Sequence, residues 1–211
     1  MGNSGWRDMS EYVVHLTGPA QAEDILRSAT IEARTPTGTA RRFAELGDSQ
    51  QSVCLSEIPI GHLDRLTRRG EYGIGFYKEF IDAQDGQMVT YLRKGTSAEA
   101  RFQKLVRDAM IGGIDPADPL WKITQFIDNP GPYGQTRYEF EWEREWRVPH
   151  HLRFDKNEVA FLLAPEEYHD WMRQTAWRTL TPREYQGAVL DPRWDIARVQ
   201  HELQINGASL P

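Results

Sequence analysis

A single cysteine, Cys54, stands in 211 residues. That excludes a disulfide framework and any metal site built on cysteines. Long apolar runs are also missing. No stretch approaches the roughly 18 residues that a membrane span requires, and the chain begins without the apolar core of a secretory signal. The sequence therefore reads as a soluble protein of a reducing cytoplasm, with no membrane partner. Its six histidines include no His-Glu-x-x-His pair, and the adjacent His150 and His151 would point to opposite faces of a strand. No metal is expected. Gly73-Ile74-Gly75 lacks the third glycine of a dinucleotide fingerprint, and no Gly-Lys-Ser/Thr phosphate loop occurs. The net charge of −6 offers no bulk attraction to nucleic acid. Local cations remain. Arg34, Arg41 and Arg42 flank a loop, while Arg65, Arg68 and Arg69 end a helical segment, where they suit its dipole.

What the chain does contain is aromatic surface, including seven tryptophans, and enough length for a sizeable core. Glu11–Thr17 has the β-branched and aromatic content of a strand, and Ala20–Ala29 carries a helical stripe of Ala22, Ile25, Leu26 and Ala29. Short strands are expected at Ser52–Ser56, Gln87–Leu92, Glu158–Ala164 and Gly187–Leu190, with a β-like stretch at Tyr72–Ile81. Pro59 opens a helix to about Arg69. Ser97 caps a helix to Met110 whose apolar face holds Phe102, Leu105, Val106 and Ala109. Further helices run from Pro165 to about Trp177 and from about Pro192 to Leu203. Strands come in groups with helices between, so the fold class is α+β. After a flexible segment at 1–10, residues 11–211 read as a single domain.

The segment from Tyr138 to Pro149 alternates almost without a break. Tyr138, Phe140, Trp142, Trp146 and Val148 fall on one side, and Glu139, Glu141, Glu143, Glu145 and Arg147 on the other. A period of two is a strand with one face in a core. The outer face would then crowd four carboxylates into one row, with same-face neighbours roughly 7 Å apart, which is costly unless cations or donors meet them. Such a row either edges a cleft that needs carboxylates or is a Glu-rich outer face neutralised by Arg144 and Arg147.

Two further features complete a candidate constellation. His15 sits inside an otherwise apolar strand, two residues before Thr17. Tyr72-Gly73-Ile74-Gly75-Phe76-Tyr77 is an aromatic strand whose two glycines admit either a flat ligand or a neighbouring core group. Cys54, between Val53 and Leu55, reads as a buried and inert thiol.

Together these residues resemble the ADP-ribosyltransferase superfamily. Glu143-Arg144-Glu145-Trp146-Arg147-Val148-Pro149 looks like its Glu-x-Glu strand, in which the second glutamate is the catalytic one. The chain order of Val-Val-His-Leu-Thr (13–17), Val-Cys-Leu-Ser-Glu-Ile-Pro (53–59), Tyr-Gly-Ile-Gly-Phe (72–76) and Glu-Arg-Glu-Trp-Arg-Val (143–148) resembles abortive-infection (AbiGi-type) phage-resistance proteins and, more distantly, DNA-modifying toxins of the DarT type. The histidine belongs to one branch of the superfamily and the Glu-x-Glu to the other. Trp146 and Arg147 stand where aliphatic residues are usual.

The resemblance implies a split antiparallel β-sheet flanked by helices, with NAD as substrate. It implies Glu145 as the catalytic acid, with Glu143 polarising the nucleophile and Glu143 or Glu141 as alternatives for the acid itself. His15 and Thr17 would contact NAD, and Tyr72 or Tyr77, beside Phe76, would stack on nicotinamide. The activity implied is mono-ADP-ribosyl transfer to nucleic acid or protein by a phage-defence toxin, with a cognate antitoxin as partner. The alternative is a non-catalytic module of the same architecture that binds or neutralises a partner in such a system.

Overall fold

The computed structural model describes residues 10–68, 70–139, 141–180 and 187–205. The expectation of a flexible segment at 1–10 falls, apart from Ser10, outside the described residues, as do Arg69 and Phe140. The strands begin with β1 (Tyr12–Thr17), β2 (Thr30–Ile31), β3 (Thr35–Pro36), β4 (Gln51–Ser56) and β5 (Tyr72–Tyr77). Short pieces follow at β6 (Gln87–Met88), β7 (Thr90–Tyr91), β8 (Ile127–Asp128), β9 (Gly131–Tyr133) and β10 (Thr136–Tyr138). The last four are β11 (Glu145–Pro149), β12 (Leu152–Arg153), β13 (Val159–Leu163) and β14 (Ala188–Leu190). Helices are α1 (Pro19–Ser28), α2 (Lys78–Ala83), α3 (Ser97–Met110), α4 (Pro119–Thr124), α5 (His169–Leu180) and α6 (Ile196–Ile205). The class is mixed α+β, with mostly antiparallel pairing and flanking helices.

The chain forms two compact units, and their boundary falls inside β4. The first is built from Met1–Ile31, Leu55–Gln84 and Leu152–Pro211. Its strands lie in the order β14, β13, β5, β1. β1 pairs antiparallel with β5 from Tyr12↔Tyr77 to Thr17↔Tyr72, and β5 pairs antiparallel with β13, whereas β13 and β14 are parallel. Residues directly opposite in such pairs share a face. Tyr12, Val14, Phe161, Leu163, Ala188 and Leu190 therefore form one face, which packs with Leu63, Leu66, Val199 and Leu203 into a core. Gly75 lies on that face, and a Cβ there would meet the Phe161 ring at 2.6 Å. The glycine admits a core aromatic. On the opposite face, Ile74, Phe76 and Leu162 are fully buried.

The second unit is built from Glu32–Cys54 and Asp85–His151. β11 lies between β4 and β6, and β3 pairs antiparallel with β4 at Thr35↔Ser52 and Pro36↔Gln51. Ala40, Leu46, Val106 and Trp121 form its core with the half-buried Phe43 and Phe102. The Trp121 indole donates to the Asp115 carbonyl at 2.9 Å, and Phe43 meets it edge-on at 5.9 Å. Gly38, at φ +74°, passes so close to Thr124 that an added Cβ would lie 2.0 Å from its carbonyl oxygen. Only glycine fits there.

Several expectations need correction. The alternating segment is not one strand: β10 ends at Tyr138, Glu141–Glu143 form a 3₁₀ turn, and Arg144 takes a left-handed φ of 45° before β11 begins. The turn breaks the carboxylate row and brings cations to it. Arg137 pairs with Glu139 at 2.6 Å, Arg93 reaches both Glu139 and Glu141, and Arg147 takes Glu145. The expected Gln87–Leu92 strand divides at buried Val89 into β6 and β7, which pair with β11 and β8 respectively. The α3 cap is Thr96, whose hydroxyl accepts from the Glu99 amide, and not Ser97. Leu105 of that helix is 58% exposed and not part of the core. β5 stops at Tyr77, where α2 takes over, and α5 starts four residues after Pro165, beyond a 3₁₀ turn at Glu166–Tyr168. The final helix starts at Ile196, after Asp191 has capped the Pro192–Trp194 turn by accepting from the Arg193 amide at 2.8 Å.

Candidate functional site

The proposed cofactor residues belong to the first unit. Half-buried His15 sits opposite Ile74, and Thr17 sits opposite Tyr72, so His15, Thr17 and Tyr72 share one face of the β1–β5 pair. Tyr77 lies opposite Tyr12 on the other face, with ring centroids 5.4 Å apart. Strand parity thus puts Tyr72, and not Tyr77, on the face of His15. Tyr72 is only 9% exposed. Its ring meets Tyr168 at 6.0 Å and stands edge-on to Trp171 at 6.2 Å. Burial, reinforced by the neighbouring Tyr168 hydroxyl, raises its phenol pKa.

Phe76 corrects another expectation. It is wholly buried, with Phe154 at 5.1 Å and Phe80 at 5.7 Å, and has no free face for a ligand. Tyr168 and Trp171 are the residues that sequence reasoning missed. Tyr168 is 46% exposed, and both stand beside Tyr72. Their signal was the aromatic pair straddling His169-Asp170, which reads as ordinary helix-start composition until the fold brings it to β5.

Glu143 and Glu145 belong to the second unit. Glu143 is buried in the 3₁₀ turn, and Glu145 is the first residue of β11. Glu145 is held by Arg147: Nε donates to Oε1 at 2.9 Å and Nη2 to Oε2 at 3.0 Å. Arg147 is itself only 3% exposed. It also donates through Nη1 to the Gln125 carbonyl at 2.5 Å and through Nη2 to Asp128 at 2.7 Å. Arg41 completes the chain, donating to the other Asp128 oxygen at 3.0 Å. Burial alone would disfavour the Arg147 charge, but Glu145 and Asp128 more than offset it and raise the guanidinium pKa. Burial would likewise raise Asp128, yet the bond to Arg147 and the charges of Arg147 and Arg41 hold it below the usual carboxylate range.

Two weak acids line this cluster. Burial, together with the charge of Glu145, pushes the Cys54 thiol up to about 12. The same two causes, in the same order, raise the Tyr91 hydroxyl. Cys54 is therefore a neutral thiol at physiological pH and no nucleophile. Asp128 and Tyr91 also escaped sequence reasoning, which had Arg41 only as a loop-flanking cation. The signal was Arg147 itself, since a cation between Trp146 and Val148 on a core strand must find acids wherever the fold supplies them.

Three of the other five histidines have structural partners or a turn position. His151 Nδ1 accepts from the Ala33 amide at 3.0 Å, His169 Nε2 lies 3.1 Å from the Ala164 carbonyl, and His150 adopts φ 67° just after β11. Among the described residues no group of three His, Cys, Asp or Glu side chains is placed to hold a metal ion, and no helix is long and apolar enough to cross a membrane. No family model matches the chain, and no curated protein or solved structure is significantly similar to it.

Proposed function

We propose that the protein is an NAD-dependent mono-ADP-ribosyltransferase of phage defence, with nucleic acid or protein as acceptor and a cognate antitoxin as its partner. The single observation that supports the reading is the register of β1 on β5, which sets His15, Thr17 and Tyr72 on one face. The Glu-x-Glu spacing at Glu143 and Glu145 supplies the acids, and an ADP-ribosyltransferase-like sheet would supply the architecture. His15 and Thr17 would hydrogen-bond the ribose and amide of NAD, and Tyr72 with Tyr168 and Trp171 would confine the nicotinamide ring.

In the reaction, the bond between the ribose anomeric carbon and the nicotinamide nitrogen breaks, and its electron pair leaves with nicotinamide. Glu145, accepting a hydrogen bond from the ribose, stabilises the cation that develops, as a glycosidase carboxylate does. A lone pair of the acceptor then bonds to the anomeric carbon. Its proton passes to a base, a role that fits Glu143. Incubating the chain with labelled NAD and cell extract tests the reading. Label transfer and nicotinamide release are expected, and both should fall on the order of 10²–10³-fold in Glu145→Gln. Absence of both from the wild-type protein, or a variant as active as wild type, refutes it.

A non-catalytic binding role has its own support in the net charge of −6, since an acidic surface can mimic nucleic acid or cover a basic partner. That reading predicts no NAD binding, so a rise in melting temperature on adding NAD counts against it.

A further inference from the structure

We infer that Arg147 is the positioning residue for Glu145, fixing its carboxylate through a rigid guanidinium bridge anchored at Asp128 and the Gln125 carbonyl; this rests on the proposed transferase reading. A glutamate at the start of a strand, just after a left-handed residue, has a flexible side chain and little local packing to choose its rotamer. Here both of its oxygens are met by parallel N–H groups of one planar fork, at 2.9 and 3.0 Å. A fork of that kind fixes a plane and a direction as well as a charge. The fork cannot swing, because its far side is tied to the Gln125 backbone at 2.5 Å and to Asp128 at 2.7 Å, with the guanidinium almost wholly enclosed.

Asp128 is braced in turn by Arg41 at 3.0 Å and belongs to β8, which pairs with β7. The chain from Arg41 through Asp128 and Arg147 therefore ends on the Glu145 carboxylate. The Glu145 side chain is not fully enclosed, with 19% of it exposed. Each carboxylate oxygen has two lone pairs, so a further donor can still be accepted. A carboxylate held in this way spends nothing on reorientation when charge develops on a bound ribose.

Steady-state nicotinamide release by the full chain separates geometry from charge. Lysine retains the charge at position 147 but cannot make two parallel bonds. Arg147→Lys is therefore expected to lower kcat on the order of 10²-fold while KM for NAD stays within about threefold, the pattern of a displaced catalytic group. Asp128→Asn leaves the fork in place and loosens its anchor, so a kcat loss of roughly threefold to tenfold at unchanged KM is expected. It decides the matter if the lysine variant does not fold. A purely structural Arg147 would lower the melting temperature of both variants and leave kcat of the folded protein at the wild-type value, which overturns the inference. Wild-type protein that releases no nicotinamide overturns the transferase reading and this inference together. An inactive Glu145→Gln beside fully active, folded Arg147→Lys overturns this inference alone.

Discussion

Cys54 shows how far a single side chain's chemistry depends on what lies beside it. Its neighbours along the chain, Val53 and Leu55, suggest only burial. The fold adds the carboxylate of Glu145, and the two together push the thiol up to about 12. At pH 8 the thiolate fraction is then on the order of one in ten thousand, against roughly a quarter for an ordinary thiol. Ellman's reagent should therefore label native protein on the order of 10³ times more slowly than protein unfolded in guanidinium. Labelling of the native state at the unfolded rate would show that the thiol is neither buried nor repelled by Glu145. At this scale the sequence showed which residue types were present and which chemistries they exclude. Whether His15 keeps company with Tyr72 or Tyr77 was not legible, because parity across two strands depends on a register that neither strand carries by itself.

At the scale of elements, strands with strong β content were legible, and β1, β4, β5, β13 and β14 lie within a residue or two of their expected places apart from the overlong C-terminal end of the Tyr72–Ile81 stretch. Their packing explains the glycines of β5. Gly75 carries the Phe161 ring, and a methyl group there would overlap it at 2.6 Å. Gly75→Ala should therefore destabilise the protein by about 1–3 kcal/mol, as overpacking does, and Phe161→Leu should recover part of that loss in the double variant. Urea denaturation measures both. A Gly75→Ala midpoint equal to wild type would mean that the ring moves aside freely. The segment at 138–149 misled for a definite reason. Alternation of apolar and acidic residues satisfies a strand pattern, yet it also satisfies a turn beside which three arginines meet Glu139, Glu141 and Glu145. Pairing with Arg93, Arg137 and Arg147 favours the turn over a row of like charges.

At the scale of the whole molecule, arginines hold the exposed carboxyls of Glu32 and Glu166 down, and each unit also holds a more enclosed carboxylate whose pKa the fold depresses. In the second it is Asp128. In the first it is Asp191, where burial pulls upward but the Arg193 side chain and the Arg193 and Glu166 amides pull further down. A depressed folded pKa contributes stability above the unfolded value of 3.8, and that stability is lost as pH falls through the folded values. On the alkaline side the sign reverses. Burial pushes Tyr12 up to about 12 from 10.0, and Cys54 to about 12 from 9.0, so the unfolded chain releases these protons first and stability falls as pH rises above 9. The urea midpoint should thus be highest between about pH 7 and 9 and fall on both sides. It falls on the acid side first because burial lowers the His169 pKa below its unfolded 6.5, and then below about pH 4 in a limb reduced in Asp128→Asn. A midpoint that climbs on acidification below pH 4 would contradict the ion-pair assignments.

The sequence by itself determined the class of the fold, the absence of common metal and phosphate motifs, and the identity of the candidate acids and histidine. Those follow from residue chemistry and local periodicity, which need no partner. Only the tertiary structure decided that Phe76 is core, that Tyr72 shares a face with His15, and that Arg147 grips Glu145 on one side and Asp128 on the other. Each depends on contacts between residues distant in the chain or on a turn that local alternation conceals, and the pull of a buried charge toward its counter-charges is strong enough to choose among the folds that local pattern allows.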